Sequence, residues 1–341
     1  MDNRIENVNC RCKLAKWGGK GIGGLVLRIA VIVAITVIVL IVLFLIAKPI
    51  AMKVITTRLA KIVWDQCKES VIEYRHPVYF PTDQDDPKFE LKLAHTLWDI
   101  GGAASDAHCR DNIPMPRPFT KSQPLYGKIV QDVETGEDTP LKAGYIYWNP
   151  TTNWAMIVFS GTHYKEQWKN NMRMSQTKLT FLDESLNDVK LSHRCKSNVK
   201  SSLIHSGFYD DYDAIRECIH KWLDGKGLHI SNILVTGRSL GGAVSTLCAY
   251  DLSYVHRLSV VHYSFASPRV GNKDFADRFN SRVPYSIRVF NTSDQVCDLP
   301  LTVFGKDLYQ HTGKPNTTFA FTINTGSLVN NHIEAYRDLE F

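Results

Sequence analysis

Apolar residues are concentrated near the start of the chain, where residues 29–47 read IAVIVAITVIVLIVLFLIA without a single charge. At 1.5 Å per residue, a helix of this length spans about 28 Å, which is roughly the hydrocarbon thickness of a bilayer. Buried strands are much shorter, and a cleaved signal peptide has a shorter apolar region and a small-x-small cleavage site. The pattern therefore predicts one uncleaved transmembrane helix over residues 29–47.

The next part of the chain, residues 48–139, carries weaker signals. A juxtamembrane helix is predicted around residues 50–74, followed by a Pro- and Asp-rich loop that reaches residue 87. Residues 88–100 have the helical spacing of apolar positions. Residues 101–140 are rich in Gly, Pro and Asp, which is typical of loops.

Regular apolar runs begin at about residue 143. AGYIYW and WAMIVFSG, joined by NPTTN, predict a β-hairpin. Residues 163–204 are polar and have no sustained period, whereas residues 205–225 predict a helix that ends at a glycine. Strand and helix patterns then alternate in the order NILVTG, GGAVSTLCAYDL, SVVHYSFAS, KDFADRFNSR and YSIRVFN. This alternation is typical of an α/β sandwich with a mostly parallel central sheet.

Four segments are therefore predicted along the chain. They are a basic N-terminal tail (1–28), the transmembrane anchor (29–47), a juxtamembrane and N-terminal helical/loop region (48–139) and an α/β core (140–341).

Charge is unevenly distributed in this chain of 341 residues, whose net charge is +6. Residues 1–28 hold six basic and two acidic residues, so this tail carries +4 and leaves +2 for the remainder. A nucleic-acid-binding domain needs a concentrated basic surface, so we expect no nucleic-acid partner. Six Lys or Arg residues precede the apolar run and five follow it within residues 48–68. This difference favours a cytoplasmic N-terminus and a lumenal or extracellular domain.

The eight cysteines add little. Six of them follow the apolar run: Cys67, Cys109, Cys195, Cys218, Cys248 and Cys297. Six cysteines allow about 15 pairings, among which a sequence does not choose. Neither a Cys-x-x-Cys pair nor a Cys/His cluster is present, so we expect no metal and no cofactor.

One motif suggests chemistry. Gly237-Arg238-Ser239-Leu240-Gly241 fits G-x-S-x-G. In this motif a serine occupies a tight turn between a strand and a helix, and the two glycines let these elements approach closely. The pattern alone is weakly specific, but ILVT before it predicts a strand and GAVSTLCAYDL after it predicts a helix. Ser239 is therefore the candidate nucleophile, with Gly237 and Gly241 as the glycines of its elbow.

A nucleophilic serine needs a base, and the base needs an acid to orient it. In α/β-hydrolases the chain order is Ser, then Asp or Glu, then His. Asp294 directly follows the strand YSIRVFN, at the same end of the sheet as the elbow, and Asp298 is the second choice. His332, at the start of a late helix, and His311 both satisfy the order.

The other histidines after the serine, His256 and His262, precede Asp294 and so break the order. His262 lies inside a predicted strand and is expected to be a packed core residue. An oxyanion hole normally uses the amide of the residue after the nucleophile, here Leu240, and an amide from an earlier strand-end loop. The strand WAMIVFSGT ends in such a loop, and Thr162 is the natural second donor.

Six segments together resemble the class 3 lipase family, which includes secreted fungal triacylglycerol lipases and many plant lipases. They are IVFSGT, IHSGFYDDY, ILVTGRSLGGAVSTL, SFASPRVGN, RVFNTSDQVCDLP and NNHIEAY, which occur in the family's order over about residues 140–341. The resemblance implies an α/β-hydrolase fold, with Ser239, Asp294 and His332 as the catalytic triad. It also implies Thr162 and Leu240 as the oxyanion donors.

The resemblance further implies a lid over the site at about residues 163–180, with Trp168 as a lid or lid-hinge aromatic residue. His205 and Arg269, which belong to the HSGF and PRVGN segments, are assigned no chemistry. The sequence departs from the family pattern twice: Arg238 replaces the usual His before the nucleophile, and Ser160 replaces the usual Arg in the step before Gly-Thr. Neither change removes a catalytic group.

The expected function is that of a membrane-anchored serine hydrolase that cleaves lipid esters, either glycerides or phospholipids. Because the anchor would hold the domain at a bilayer, the expected partners are a lipid ester substrate and that bilayer. The alternative is a catalytically inactive hydrolase fold that acts as a membrane-bound binding or structural protein. The complete set of Ser, Asp, His and Gly-Thr residues favours the enzyme.

Overall fold

The structure is a computed structural model, and the chain divides into two units, Met1–Val54 and Ile55–Phe341. Residues 50–341 are described apart from short gaps at 51–52, 59, 63, 66–73, 75, 81–90, 110–112, 133–134, 180–201, 226–229, 257, 301–307 and 338–341. The elements below belong to the second unit. The predicted transmembrane run, residues 29–47, lies outside the described residues. Within the described part, no helix has the length and apolar character needed to cross a bilayer.

A seven-stranded sheet forms the centre of this unit. Nine strands are described: β1 (Lys121–Gln131), β2 (Asp138–Asn149), β3 (Trp154–Phe159), β4 (Gln176–Lys178), β5 (Leu203–His205), β6 (Asn232–Arg238), β7 (Ser259–Phe265), β8 (Tyr285–Asn291) and β9 (Thr318–Phe321). The sheet has the order β1-β2-β3-β6-β7-β8-β9, and β4 pairs with β5 separately. Strands β1, β2 and β3 pair in antiparallel fashion. The neighbouring strands β3, β6, β7, β8 and β9 pair in parallel. The predicted hairpin, helix–strand alternation and mostly parallel sheet are thus confirmed.

Helices cover both faces of the sheet. They are α1 (Leu91–Asp106), α2 (Lys165–Asn171), α3 (Ser206–Asp224), α4 (Leu240–Val255), α5 (Lys273–Arg282), α6 (Leu328–His332) and α7 (Glu334–Arg337). Strand β3 is buried throughout. Its side chains alternate between two cores: Ala155, Ile157 and Phe159 pack against α3, α4 and α5, whereas Met156 and Val158 pack against α1 and α7. The period of two in a strand explains this division.

The loop predicted for residues 101–140 is wrong in two places. Helix α1 continues to Asp106, and Lys121–Gln131 form the edge strand β1. Pro124 and Gly127 are unfavourable in strands, so the sequence did not predict β1. An edge strand with an irregular register accommodates both residues. The sheet therefore begins well before residue 140, where the sequence places the start of the core. In the predicted juxtamembrane helix, the described residues 53–58, 60–62 and 64–65 are helical.

The cysteines separate into two groups in the structure. Cys109, just after α1, is disulfide-bonded, and its partner lies outside the described residues. Cys218, Cys248 and Cys297 are free thiols. Structural disulfides are typical of oxidising compartments.

A fully buried carboxylate, Asp251, connects α3 to α4. It accepts hydrogen bonds from the Tyr212 hydroxyl at 2.7 Å, from Arg216 Nε at 2.7 Å and Nη2 at 3.2 Å, and it lies 2.7 Å from His220 Nε2. Burial by itself raises the pKa of Asp251, but the hydrogen bonds from His220 and Arg216 outweigh burial and hold it below the ordinary value. The ionised carboxylate therefore stabilises the fold.

Asp251→Asn is expected to lower the free energy of unfolding by about 3 kcal/mol at pH 7, because the amide leaves the Arg216 charge without its partner. Folding lowers the pKa of Asp251, so the carboxylate contributes its full stabilisation at pH values above its unfolded pKa of about 4. This stabilisation is lost as the pH falls through the lower pKa of the folded protein. Urea unfolding at pH 7 and at lower pH values measures the difference. Asp213→Asn, at an exposed position of α3, should change stability by less than about 0.5 kcal/mol. Equal effects of the two variants would contradict the role of Asp251.

Candidate active site

The turn between β6 and α4 holds Ser239 in a strained conformation, with φ 56° and ψ −125°. Its amide donates a hydrogen bond to the Phe265 carbonyl at 2.9 Å. A Cβ on Gly237 would lie 2.3 Å from the Gly241 carbonyl oxygen, and one on Gly241 would lie 2.4 Å from the Phe159 carbonyl oxygen. Only glycine fits at these two positions, so the helix can start directly behind the strand and present the serine hydroxyl above the sheet.

The structure brings Ser239, His332 and Asp294 together from three separate parts of the chain. Asp294 follows β8 and caps the 3-10 turn Gln295–Asp298, and His332 is the last residue of α6. His332 Nε2 lies 2.9 Å from Ser239 Oγ, and His332 Nδ1 lies 2.7 Å from Asp294 Oδ2. Because a carboxylate only accepts hydrogen bonds, the Nδ1 atom carries the proton and Nε2 accepts from the serine hydroxyl.

Asp294 is almost completely buried, and three further groups bind its carboxylate. The Val296 amide donates to Oδ1 at 3.0 Å, whereas the Tyr336 hydroxyl at 3.0 Å and the Cys297 thiol at 3.3 Å donate to Oδ2. Burial, together with Cys297 and Asp294, raises the pKa of Tyr336 well above its ordinary value, so the phenol remains a hydrogen-bond donor. Sequence reasoning missed Tyr336, although it lies four residues after His332, a spacing that puts two side chains on one face of the late helix predicted there.

The predicted oxyanion donors lie on two adjoining elements. Leu240 is the first residue of α4, so its amide precedes the hydrogen bonds within the helix. Thr162 lies in the loop after β3, next to Gly161, whose hypothetical Cβ would be 4.0 Å from Ser239 Cβ. The Gly161 amide donates to Ser105 Oγ of α1 at 2.7 Å, and Asn171 Nδ2 donates to Thr162 Oγ1 at 2.8 Å. Ser105, which sequence reasoning missed, thus fixes the loop beside the nucleophile.

A cleft of about 760 Å³, counting the space open to solvent at its mouth, contains Ser239 and His332. Most of its walls are apolar, from Ile62, Trp98, Trp168, Val296, Leu328, Val329 and Ile333. The remaining lining residues are Ser105, Gly161, Thr162, His163 and Arg238. The side chains of Ile62 and Leu328 are 44% and 50% exposed, so the mouth of the cleft presents apolar surface to solvent.

Asp298 was the second choice for the acid that orients the histidine. In the structure, however, the carboxylate bonded to His332 is that of Asp294, and Asp298 contacts Arg269. Its carboxylate is exposed and lies 3.2 Å from Arg269 Nη2. Arg269 also donates to the Pro300 carbonyl at 3.2 Å, so this arginine ties one loop to another. Arg269 was assigned no chemistry, and its contacts are those of a structural residue.

The other histidines also lie outside the triad. His311 Nε2 lies 3.1 Å from Arg288 Nη2, and burial with the charges of Arg288 and Arg269 lowers the His311 pKa to about 2. His262 lies between the Ser245 and Ser286 hydroxyls, at 3.1 and 2.8 Å, and burial lowers its pKa to about 3.

His205 caps α3, because its Nδ1 atom accepts from the Gly207 and Phe208 amides at 3.1 and 3.3 Å. His256 Nε2 lies 2.7 Å from His220 Nδ1. In the described part of the chain, no three His, Cys, Asp or Glu side chains are grouped to hold a metal ion.

The two departures from the family pattern occupy different places. Ser160 is buried and its hydroxyl donates to the Lys142 carbonyl at 3.1 Å. Arg238 is half-buried and lines the cleft, with its guanidinium carbon 5.0 Å from the centre of the Trp98 ring.

Residues 156–304 match the family lipase (class 3). The chain is 31% identical over 149 residues to phospholipase A(1) DAD1, chloroplastic, of Arabidopsis thaliana, covering 42% of this chain and 33% of that protein. It is 29% identical over 165 residues to secreted mono- and diacylglycerol lipase A of Penicillium cyclopium, covering 48% of each. A crystal structure of the lipase from Rhizopus microsporus var. chinensis covers 72% of this chain and 83% of its own, with 20% identity and a TM-score of 0.46.

The chain thus spans between 33% and 48% of the length of these two curated relatives. The match to the class 3 lipase family covers residues 156–304, which is less than half of the chain.

Proposed function

We propose that the chain is a serine hydrolase that cleaves the carboxylic ester bonds of lipids. The observation that carries the proposal is the hydrogen-bonded series from Ser239 through His332 to Asp294, with its nucleophile facing an apolar cleft. A serine, a base and a buried carboxylate within hydrogen-bond distance form the arrangement that activates a hydroxyl for acyl transfer.

In the first half of the reaction, Ser239 Oγ attacks the ester carbonyl carbon while its proton passes to His332 Nε2. Asp294 keeps the imidazole in the required tautomer and stabilises the imidazolium that forms. The amides of Thr162 and Leu240 donate to the negatively charged oxygen. Collapse of this intermediate breaks the ester C–O bond, and His332 returns the proton to the departing alcohol oxygen.

In the second half, water attacks the acyl-enzyme and gives one proton to His332. Collapse breaks the bond to Ser239 Oγ, which takes the proton back from His332, and the fatty acid leaves. Water and ester are consumed, alcohol and acid are formed, and the enzyme is regenerated without a cofactor.

A lipid substrate is supported by the walls and the mouth of the cleft. Seven apolar side chains line it, and Ile62 and Leu328 are exposed at its mouth. A cleft of this kind favours long acyl chains over polar acyl groups, because burying apolar surface stabilises the complex by about 25 cal/mol per Å². Relatives named as phospholipase A(1) and as mono- and diacylglycerol lipase support the same substrate class.

Residues 163–180 are proposed as the lid, with Trp168 as its aromatic contact. Helix α2 directly follows the Thr162 loop, and His163 and Trp168 both line the cleft. Since Asn171 also donates to the Thr162 hydroxyl, a movement of α2 would alter the oxyanion loop and the cleft wall together.

Anchoring by residues 29–47, with the hydrolase domain in the lumen or outside the cell, is also proposed. It is supported by the uncharged apolar run, by the disulfide at Cys109 and by a secreted relative. The full chain is expected to resist alkaline carbonate extraction from membranes, whereas a variant lacking residues 29–47 is released. In sealed microsomes the domain should be protected from added protease. Release of the full chain by carbonate would contradict the anchor. Digestion of the domain in sealed microsomes would contradict its orientation.

Fluorophosphonate labelling of the full chain in detergent, measured by intact mass, tests the hydrolase itself. One adduct on the wild type and none on Ser239→Ala is expected. Failure of the folded wild-type protein to react, in the presence of detergent or liposomes, would favour the inactive hydrolase fold acting as a binding protein.

A further inference from the structure

Arg238 is a cation built into the wall of the cleft. It ends β6, directly before Ser239, and lines the same cavity as Ser239 and His332. Its guanidinium lies over the Trp98 ring, and that ring stacks on Tyr336 with the centres 4.7 Å apart. A Cβ on Gly102 of α1 would lie 3.0 Å from Arg238 Nη1, so a glycine leaves room for the guanidinium.

The charge of Arg238 has no direct counterion among the described residues, since none of their carboxylates forms an ion pair with it. Burial lowers the pKa of Arg238, and the charge of Arg337 lowers it further. Asp106, Asp99 and Glu334 oppose that change without forming an ion pair with Arg238. Glu334 itself pairs with Arg337 at 3.1 Å. A guanidinium stays protonated in proteins and offers five N–H donors in a fixed fork. Arg238 therefore brings a positive charge into a mostly apolar cleft, with N–H donors that no other described residue accepts.

We propose that Arg238 is a specificity-determining residue that binds the phosphate of a phosphoglyceride substrate. This inference rests on the proposed ester hydrolysis and narrows its substrate class. The planar fork of a guanidinium matches two phosphate oxygens, and charge-assisted hydrogen bonds of this type are among the strong ones. When substrate fills the cleft, Arg238 loses bound water. A neutral glyceride has no anion to replace that water, so it should bind more weakly than a phosphoglyceride with the same acyl chains.

The test compares two soluble substrates with identical acyl chains, used below their micelle-forming concentrations so that vesicle charge plays no part. They are dihexanoyl phosphatidylmethanol, which carries one negative phosphodiester, and dihexanoylglycerol, which is neutral. For the wild type, kcat/KM should be higher for the phosphate substrate. In Arg238→Gln, the ratio of the two kcat/KM values should fall about 10- to 100-fold, mostly through KM of the phosphate substrate.

Two further variants separate charge from shape. Arg238→Lys keeps the charge but loses the planar fork, so it should retain part of the preference. Lys221→Gln removes an exposed cation that is paired with Glu217 and does not line the cleft, so the ratio should stay within about twofold. Circular dichroism and thermal unfolding check that each variant is folded.

A measurement on the wild type alone keeps the inference testable if Arg238→Gln does not fold. The dihexyl ether analogue of the phosphate substrate cannot be hydrolysed, and it should inhibit more strongly than the neutral diether. Equal inhibition, or an equal loss on both substrates in Arg238→Gln, would overturn the role of Arg238 while ester hydrolysis stands. Failure of the wild type to hydrolyse either substrate, with Ser239 unlabelled by fluorophosphonate, would instead overturn the proposed function.

Discussion

Ser239→Ala is expected to lower kcat for ester hydrolysis by a factor on the order of 10⁶. The variant lacks the only oxygen placed 2.9 Å from His332 Nε2 in the described structure, so no acyl-enzyme can form. The cleft and the Thr162 and Leu240 amides are unchanged, and they should leave a residual rate above that of water. Initial rates with a 4-nitrophenyl ester in detergent, and a search for the acyl-enzyme by intact mass, measure the effect.

Ser231→Ala is the matched control for that loss. Ser231 lies just before β6, is exposed, and its hydroxyl donates only to the Asn153 carbonyl at 3.2 Å. Its rate should stay within about twofold of the wild type, as for an exposed position away from the site. If Ser239→Ala retained more than a tenth of the wild-type rate, Ser239 would not be the nucleophile.

Asp294→Asn is expected to lower kcat by about 10⁴. The two carboxylate oxygens of Asp294 have different donors: Oδ1 accepts from the Val296 amide, and Oδ2 accepts from His332 and Tyr336. An amide has one oxygen and one NH₂ group. If the oxygen faces the backbone, the NH₂ group faces His332 Nδ1 and selects the tautomer whose Nε2 carries the proton. If it is reversed, NH₂ faces the Val296 N–H, which is also a donor.

Either orientation thus disrupts the site, and pre-steady-state kinetics should show that the acylation step is slowed while KM changes little. Asp298→Asn is the control, because that carboxylate is exposed and pairs with Arg269 away from His332. Its rate should remain within about threefold of the wild type. A larger loss in Asp298→Asn than in Asp294→Asn would reverse the assignment of the acid.

The alternating elements from residue 143 onward were predictable because each buried strand is short, apolar and followed by an amphipathic helix. Strand β1 was not, since Pro124 and Gly127 are poor strand residues and the strand depends on pairing with β2. The full length of α1 was hidden for a related reason. Its last two turns contain Gly101, Gly102, Ser105 and Asp106, which are unfavourable in isolated helices and are held here by packing on the sheet.

Chain order and strand position pointed to Ser239, Asp294 and His332, which the structure places within hydrogen-bond distance of one another. They did not separate these residues from Asp298 or His311. Their exclusion needed the contacts with Arg269 and Arg288, which depend on how the loops return to the sheet. Tyr336 supports the site from α7, four residues after His332, and Ser105 supports it from α1, more than 50 residues before the loop that it holds. Only the first of these had a local signal in the sequence.

Helix α1 also limits how far the family region can act alone. Ser105 holds the Gly161 amide beside the nucleophile, and Trp98 stacks on Tyr336, which binds Asp294. Ser105 and Trp98 both precede residues 156–304, the part of the chain that matches the lipase family. A fragment that starts at residue 140 would keep the five residues proposed for the triad and the oxyanion hole. It would lose the Ser105 contact with Gly161 and the Trp98 contact with Tyr336. We therefore expect the smallest active fragment to begin before Leu91 and to include helix α1, which the match to the lipase family leaves out.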